Sequence, residues 1–473
     1  MASPVQSHSH QHLSPELAQH AKAHWLHHFR LSIYAIAAIA SLGGLLVGFD
    51  TGVISGAEQY LRKDFALSTA LEELVVSAVL IGGIVGAALG GKLSGAIGRK
   101  WTIITVAVIF VMGGLLTAFS WNIWSFIAFR IFVGIGLGMA ILVVSIYITE
   151  LSPSSKRGTL VTFNQLALSL GILVAYGIDL LLIHWHATWR LMFGAECIPG
   201  SILAIGMSFL PESPRWLASK GKWQEADHIL SHVIGLDEEK ELRAIHRALA
   251  TGKKGSLREL LHTGLRMALV VGVGLAFIQQ LVGINGMSYY APTLFKFAGF
   301  HIVSVDIIAT LAIAVDGVIA KLVTIFLLDR VGRRPLLLTS IAGIAITLII
   351  LGFIFAFRAG HAGYLTLVVL LVYILSYGIG LGPLFSLLGS EIFSTRLRSI
   401  GDGIATMVNW FITVLVTITF LSLMNILGKP QTFWLYAIFA AAGFIFCWFL
   451  VPETKGKSLE QIEHYWQNGR HWS

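Results

Sequence analysis

The feature that most constrains this chain is a series of twelve apolar segments, each close to the length of one membrane crossing. A helix needs about 20 mainly apolar residues, each rising about 1.5 Å, to cross the hydrocarbon core of a bilayer. Charged residues, Pro or Gly bound the segments, which we place at 31–56, 71–93, 101–120, 123–150, 157–183, 189–211, 266–297, 303–328, 335–357, 363–390, 399–424 and 432–451. The pattern predicts an all-α integral membrane protein with twelve transmembrane helices.

The composition excludes several other classes of protein. Only 12% of the 473 residues are charged, whereas soluble domains carry about 25%, so an ordinary soluble enzyme is excluded. The net charge of +8 is not gathered into one basic face, which argues against nucleic-acid binding. The chain contains no H-E-x-x-H, G-x-S-x-G, G-x-x-x-x-G-K-[ST] or C-x-x-C motif. We therefore predict no enzyme activity, no metal and no cofactor.

The distribution of basic residues predicts the orientation in the membrane. An even number of spans puts both termini on one side, and 25 of the 33 Lys and Arg residues fall on that side. Six fall on the other side, and Arg130 and Lys321 lie inside spans. Cytoplasmic loops carry the excess of Lys and Arg, so both termini are expected to be cytoplasmic.

The polar segments divide the chain into five parts. Residues 1–30, with seven of the 17 His residues, are expected to form a cytoplasmic tail without a cleaved signal peptide. A six-helix bundle at 31–211 is followed by cytoplasmic linker helices at 212–265, a second six-helix bundle at 266–451 and a cytoplasmic tail at 452–473.

Three charged signatures recur in the same order in both halves of the chain. Their charged members are Arg99, Glu150, Arg157 and Glu212 in the first half, and Arg333, Glu391, Arg398 and Glu453 in the second. Glu150 precedes Glu212 by 62 residues, as Glu391 precedes Glu453. A parallel repeat of six spans is typical of transporters whose halves rock about a central site. We interpret the eight residues as a cytoplasmic gate that pairs while the protein opens outward; interfacial charges without this role are the alternative.

Five longer motifs are specific to one family. They are GFDTGVISG at 48–56, PESPRWL at 211–217, QQLVGIN at 279–285, DRVGRR at 329–334 and PETKG at 452–456. In these motifs the chain resembles the sugar porter family of the major facilitator superfamily. The resemblance implies the fold of that superfamily, with two six-helix bundles, and alternating-access transport of hexoses, pentoses or polyols.

Five neutral amides and one Trp inside the spans are candidate sugar ligands. They are Gln165, Gln279, Gln280, Asn285, Asn409 and Trp410. Amides both donate and accept hydrogen bonds, as sugar hydroxyls do, and the resemblance implies the same role for them. Gly283 would permit a break in the seventh helix between the amides. Hydrogen bonds between helices are the alternative for any one of the amides.

Charged residues inside the spans are candidates for proton coupling. Asp50 and Arg130 lie at about the same depth, roughly 28 to 30 Å from the cytoplasmic ends of their helices, so Arg130 could hold Asp50 ionised until a proton binds. The resemblance implies that such a pair couples protons in symporters. Glu196, a charged residue inside the sixth span, is a second candidate for handling the proton, and a pair with a neighbouring helix is the alternative for it. Asp316 and Lys321 are interpreted as a neutralising pair at a helix interface. A static buried ion pair is the alternative for Asp50 and Arg130.

Together these features predict a proton-coupled symporter of a monosaccharide. A hexose such as glucose or galactose is the expected substrate, because Val47 and Ile172 depart from a xylose-carrying member of the family. A passive sugar or polyol facilitator and a sugar-sensing receptor are the alternatives. The partners expected are the sugar, a proton and the lipid bilayer, with no nucleic acid. The protein is expected to work as a monomer in the plasma membrane, the inner membrane of a bacterium.

Overall fold

The computed structural model describes residues 33–152, 157–184, 188–234, 257–261, 265–299, 303–357, 363–393, 397–457 and 459–471. Its spanning helices are α1 (Ile33–Asp64), α2 (Thr69–Ile97), α3 (Arg99–Ala118), α4 (Ile123–Leu151), α5 (Arg157–His184), α6 (Trp189–Gly194 and Cys197–Phe209), α7 (Arg266–Leu281 and Ile284–Tyr289), α8 (Val303–Val331), α9 (Arg333–Phe357), α10 (Gly363–Ile379 and Leu381–Ile392), α11 (Arg398–Ile426) and α12 (Lys429–Leu450). Eleven of them are long and apolar enough to cross a membrane, and α8 is a helix of 29 residues at the predicted eighth span. The twelve-helix prediction is confirmed.

Polar residues and glycines set the ends of these helices. Ser68 caps α2 by accepting a hydrogen bond from the N–H of Leu71, and Asn122 caps α4 in a capping box with Ser125. Gly98 and Gly332, both with φ of 100°, form the turns between α2 and α3 and between α8 and α9. The tight turn at each position needs the positive φ that glycine adopts without strain.

Three spans are interrupted. In α7 the break falls at Gly283, whose φ of 86° lies in the left-handed region, as the sequence predicted. A separate helix at Ala291–Phe297 follows α7, so the seventh span ends earlier than the predicted 297. The breaks in α6 and α10 lie at Glu196 and Gly380.

The polar segments form short helices where the structure describes them. Within the linker these are Pro214–Ser219, Trp223–His228, Ile229–Ile234 and Leu257–Leu260. The C-terminal segment contains the helix Leu459–Gln467, and its buried Trp466 donates a hydrogen bond to the carbonyl of Ile392 at 3.1 Å. The His-rich segment 1–30 lies outside the described residues.

Helices α1–α6 and α7–α12 form two bundles that meet along α2 and α11 and along α5 and α8. We call the end of the molecule at Gly98, where α2 meets α3, the proximal face. The end at Asp64 and Thr69, where α1 meets α2, is the distal face. The proximal face is the one that the sequence predicts to be cytoplasmic.

Glycines allow α2 and α4 to pack backbone against backbone. A Cβ added to Gly82 would lie 2.0 Å from the carbonyl oxygen of Ile131, and one added to Gly134 would lie 2.0 Å from that of Val79. Small residues at helix interfaces permit such close approach in membranes, where packing rather than hydrophobicity holds helices together.

Gly134→Val is therefore expected to destabilise the first bundle. The added side chain meets the backbone of α2, which cannot move aside as a side chain could, and overpacking costs about 1–3 kcal/mol or more. The melting temperature of the purified protein in detergent measures the effect. Gly95→Val is the matched control, because an added Cβ there meets nothing within 4 Å. Equal melting temperatures for the two variants would contradict the prediction.

Candidate functional site

Four of the predicted amides form one hydrogen-bonded network in the second bundle. The Gln280 amide donates to Oδ1 of Asn409 at 3.1 Å and accepts a hydrogen bond from Asn285. Asn409 in turn donates to Oε1 of Gln279 at 2.7 Å. Gln279 and Gln280 are 7% and 6% exposed. The break at Gly283 brings Asn285 back towards Gln280, so α7 and α11 together present clustered neutral donors and acceptors.

Gln165 is not part of this network. It lies on α5 in the first bundle with an exposed side chain, and its backbone carbonyl accepts a hydrogen bond from Nζ of Lys321 at 3.1 Å. The Lys321 ammonium also donates to the Ser169 hydroxyl. The structure thus places Gln165 at the contact between the bundles, beside a lysine.

Lys321 and Asp316 do not form the neutralising pair that the sequence suggested. Within the described residues no ion pair joins them, and the buried Oδ2 of Asp316 has no hydrogen-bond partner there. Five residues separate them, which turns their side chains about 140° apart on the helix. Lys321 points to α5 instead, so that part of the prediction is wrong.

Trp410 lies where the two bundles touch. Its indole is 9% exposed, and a Cβ added to Gly83 of α2 would lie 2.6 Å from the ring. Because Asn409 precedes Trp410 on α11, the amide network is next to this contact between bundles.

Asp50 and Arg130 form a fully buried ion pair between α1 and α4. Nη2 of Arg130 donates to Oδ2 of Asp50 at 3.0 Å, and Nη1 donates to Oδ1. The two side chains are 1% and 0% exposed. The guanidinium also lies over the ring of Phe193, 5.1 Å from its centroid. This two-bond geometry holds the carboxylate and the guanidinium in one orientation.

Two further polar groups surround the ion pair. Glu196, at the break in α6, is buried and interacts electrostatically with Asp50 and Arg130. Tyr289, from α7 of the other bundle, interacts with Asp50 and with the neighbouring Thr51. Groups from both bundles therefore interact with the ion pair.

The proximal face of the first bundle carries a network built on two acids. Arg99 binds Glu150 through Nε at 2.8 Å and Nη2 at 3.0 Å. Oε1 of Glu212 accepts hydrogen bonds from the backbone N–H groups of Arg99, Lys100 and Ser213 at 2.9, 3.1 and 2.8 Å. Burial raises the pKa of Glu212, and these N–H groups and Arg99 oppose that effect. Glu212 thus neutralises the positive end of α3.

The second bundle repeats this arrangement. Arg333 binds Glu391 at 3.3 Å, and the backbone N–H groups of Arg333 and Arg334 donate to Glu453 at 3.1 and 3.0 Å. A Cβ at Gly98 would meet Glu212, and one at Gly332 would meet Glu453. Glycine therefore permits each carboxylate to reach the start of the next helix.

The gate residues pair within each bundle. The side chains of Arg157 and Arg398 lie outside the described residues. Among the described gate side chains, no hydrogen bond or ion pair joins Arg99, Glu150 and Glu212 to their counterparts in the second bundle.

Acids near the distal face, which the sequence reading missed, join the two bundles. Glu73 of α2 accepts hydrogen bonds from the N–H and the hydroxyl of Ser422 in α11, at 2.7 and 2.5 Å. Both oxygens of Glu58 lie 3.0 Å from the hydroxyl of Thr293. Glu72, beside them, pairs with Arg62 at 3.6 Å. The sequence signal that could have revealed this contact is the pair of adjacent acids, Glu72 and Glu73, at the start of an apolar span. The two bundles are therefore joined by hydrogen bonds near the distal face, whereas the described gate residues near the proximal face do not join them.

Glu73→Gln is expected to shift the protein towards a form open at the distal face. A carboxylate accepts both hydrogen bonds from Ser422, whereas an amide presents only one oxygen to the two donors. Hydrogen bonds to a charged group contribute about 1.5–3 kcal/mol, so the ratio of open to closed protein should rise about tenfold or more.

Spin labels at the distal ends of α1 and α11 would measure this shift. Lys63 and Leu427 are exposed there, and replacing Cys197 and Cys447 by Ser leaves only the introduced cysteines to label. Longer inter-label distances should become more populated in Glu73→Gln. Glu225→Gln, in an exposed ion pair of the linker, serves as control. An unchanged distance distribution would contradict the prediction.

Comparison with known proteins gives a consistent set of relatives. The family model described as "Sugar (and other) transporter" matches residues 36–466. The arabinose-proton symporter of Bacillus subtilis is 37% identical over 446 residues, covering 92% of this chain and 95% of the relative. The galactose-proton symporter of Escherichia coli is 34% identical over 441 residues, with coverage of 92% and 95%. A partially occluded inward open structure of the E. coli xylose transporter superposes with a TM-score of 0.80 at 32% identity, covering 90% and 99% of the two chains.

Proposed function

Because the chain belongs to the sugar transporter family, and is thus a membrane transporter rather than an enzyme, we propose that it is a proton-coupled symporter of a monosaccharide. The observation that carries this proposal is the buried Asp50–Arg130 pair. An ionisable group inside a spanning bundle is costly and is usually functional. Here Asp50 interacts with Tyr289 of the opposite bundle. A change in the charge of Asp50 therefore changes an interaction between the two bundles.

In this proposal a proton binds Asp50 and releases Arg130. Protonation removes the negative charge of Asp50 that pairs with the guanidinium. Glu196, buried alongside, is a second group that can bind the proton or, as a carboxylate, pair with the released Arg130. Each state of Asp50 then favours a different arrangement of α1 and α4. Coupling arises because the sugar and the proton favour the same arrangement of the bundles.

The sugar would bind the amide network of the second bundle. Gln279, Gln280, Asn285 and Asn409 offer donors and acceptors that can exchange their mutual hydrogen bonds for bonds to sugar hydroxyls. Trp410 would supply an apolar ring against the face of the sugar, and Gln165 would complete the site from the first bundle. We propose a sugar of hexose size. The named substrates of the relatives, arabinose and galactose, support a monosaccharide.

We propose a plasma-membrane location, the inner membrane of a bacterium, with both termini cytoplasmic. The bacterial relatives support the location, and the excess of Lys and Arg on the proximal face supports the orientation. The duplicated networks at Glu212 and Glu453 would then form the cytoplasmic gate. It would close as the distal contacts at Glu58 and Glu73 open.

Uptake by liposomes containing the purified protein tests the proposal. Labelled galactose should accumulate above the external concentration when the outside is acidic, and should only equilibrate when the pH is equal on both sides. Liposomes without protein control for leakage. Equilibration in both conditions would identify a passive facilitator and contradict proton coupling, and the absence of any sugar flux would contradict sugar transport.

A further inference from the structure

Lys321 brings a positive charge to the interface between the bundles. It lies within α8, and its ammonium donates to the carbonyl of Gln165 and the hydroxyl of Ser169, both on α5 of the other bundle. Both partners are neutral. Arg130, the other basic residue placed inside a predicted span, is paired with Asp50, whereas no carboxylate of the described residues lies within 4 Å of Lys321.

The face of α5 that Lys321 contacts points between the bundles rather than to lipid. At about 100° per residue, Gln165, Ser169 and Tyr176 share one stripe. The exposed apolar residues of α5 lie about 140° to 180° from Gln165; they are Leu170, Val174 and Leu181. Ser169 and Tyr176 are 5% and 3% exposed, while Gln165 is exposed. The stripe therefore opens into accessible space at Gln165, on the proximal side.

Lys321 also lies at the depth of the amide network. It is ten residues from the proximal end of α8 at Val331, about 15 Å along the helix, and Asn409 is eleven residues from the start of α11, about 16 Å. A charge held inside a spanning helix costs at least about 2.5 kcal/mol. Neutral sugars contain no group that would offset this cost, whereas a carboxylate would form a charge-assisted hydrogen bond with the ammonium.

We propose that Lys321 binds the carboxylate of an acidic sugar, a hexose oxidised to its uronic acid. This inference rests on the proposed function and deepens it, because the amides would hold the hydroxyls of the same molecule. Lys321 is then the residue that selects an anionic sugar over a neutral one.

Competition between neutral and acidic sugars tests the assignment in reconstituted liposomes. Glucuronate and galacturonate should inhibit uptake of labelled galactose at concentrations about tenfold or more below those of unlabelled glucose and galactose. Lys321→Gln should remove this preference, and Lys321→Arg, which keeps the charge, should retain more of it than Lys321→Gln. Lys222→Gln, at an exposed lysine of the linker, should retain all of it. The melting temperature of each variant reports whether it is folded.

The charge carried by transport provides an independent measurement. A proton that enters with a uronate anion carries no net charge, whereas a proton that enters with a neutral sugar carries one positive charge. Uronate uptake should therefore acidify the lumen without the current that galactose produces. Galactose uptake that uronates do not inhibit, or a preference that survives in Lys321→Gln, overturns this inference alone. If neither class of sugar is taken up, the proposed function itself fails.

Discussion

Asp50→Asn is expected to abolish accumulation of sugar against its gradient, while exchange of sugar across the membrane continues. Asparagine cannot gain or lose the proton, so the charge on Arg130 no longer alternates between paired and released. A pH gradient of one unit, with one proton per sugar and no membrane potential, drives accumulation of up to about tenfold, because one pH unit corresponds to about 1.4 kcal/mol. The variant should bring the internal and external sugar concentrations to the same value.

Two controls separate loss of coupling from loss of structure. Removing one partner of a buried ion pair leaves the other charge uncompensated and costs about 3–5 kcal/mol. The double variant Asp50→Asn with Arg130→Gln removes both charges, so it should melt closer to the wild type and still fail to accumulate sugar. Glu225→Gln, which removes an exposed acid from the linker, should accumulate sugar normally. Normal accumulation by a folded Asp50→Asn variant would exclude coupling through Asp50.

Hydropathy predicted the spans well because lipid exposure demands long apolar helices. It failed where contacts between the bundles bury polar residues. The first span was expected to end at 56, yet α1 continues to Asp64. Glu58 lies in this extension, where Thr293 of the second bundle donates to it. No property of Glu58 in isolation predicts that partner.

The depth of a residue along its helix could be predicted from the sequence more readily than the partner that its side chain faces. Counting residues placed Asp50 level with Arg130, and the structure brings them into contact. The sequence also grouped Gln165 with the other amides, but in the structure its side chain is exposed on α5, apart from the network, and its backbone carbonyl accepts a hydrogen bond from Lys321. Counting residues gives only the depth of a side chain; which residues of the other bundle it meets depends on how the two bundles dock.

The repeat of charged residues predicted which acids form contacts near the proximal face, but not which groups all of them bind. Glu150 and Glu391 bind Arg99 and Arg333, as their matched positions suggest. Glu212 and Glu453 instead accept hydrogen bonds from backbone N–H groups at the starts of α3 and α9. Those donors are the same in every helix, so side-chain identity alone does not reveal the contact.

Gln280→Ala is expected to lower the affinity for the transported sugar about 10- to 100-fold. The Gln280 amide joins Asn409 to Asn285, so its removal deletes a ligand and leaves two partly buried amides with unmet hydrogen bonds. Each such loss costs about 1–3 kcal/mol, and about 1.4 kcal/mol corresponds to a tenfold change in affinity. Isothermal titration of the purified protein with the sugar measures the change directly.

A double-mutant cycle separates the network from two independent contacts. Because Gln280 and Asn409 bind each other, the combined loss of affinity in Gln280→Ala with Asn409→Ala should be smaller than the sum of the single losses. Gln431→Ala is the matched control, because this exposed amide lies at the start of α12; it should leave affinity unchanged. Additive losses would mean that the two amides act separately. Unchanged affinity in a folded Gln280→Ala variant would exclude the network from the sugar site, because a group whose removal leaves the affinity unchanged does not contribute to binding.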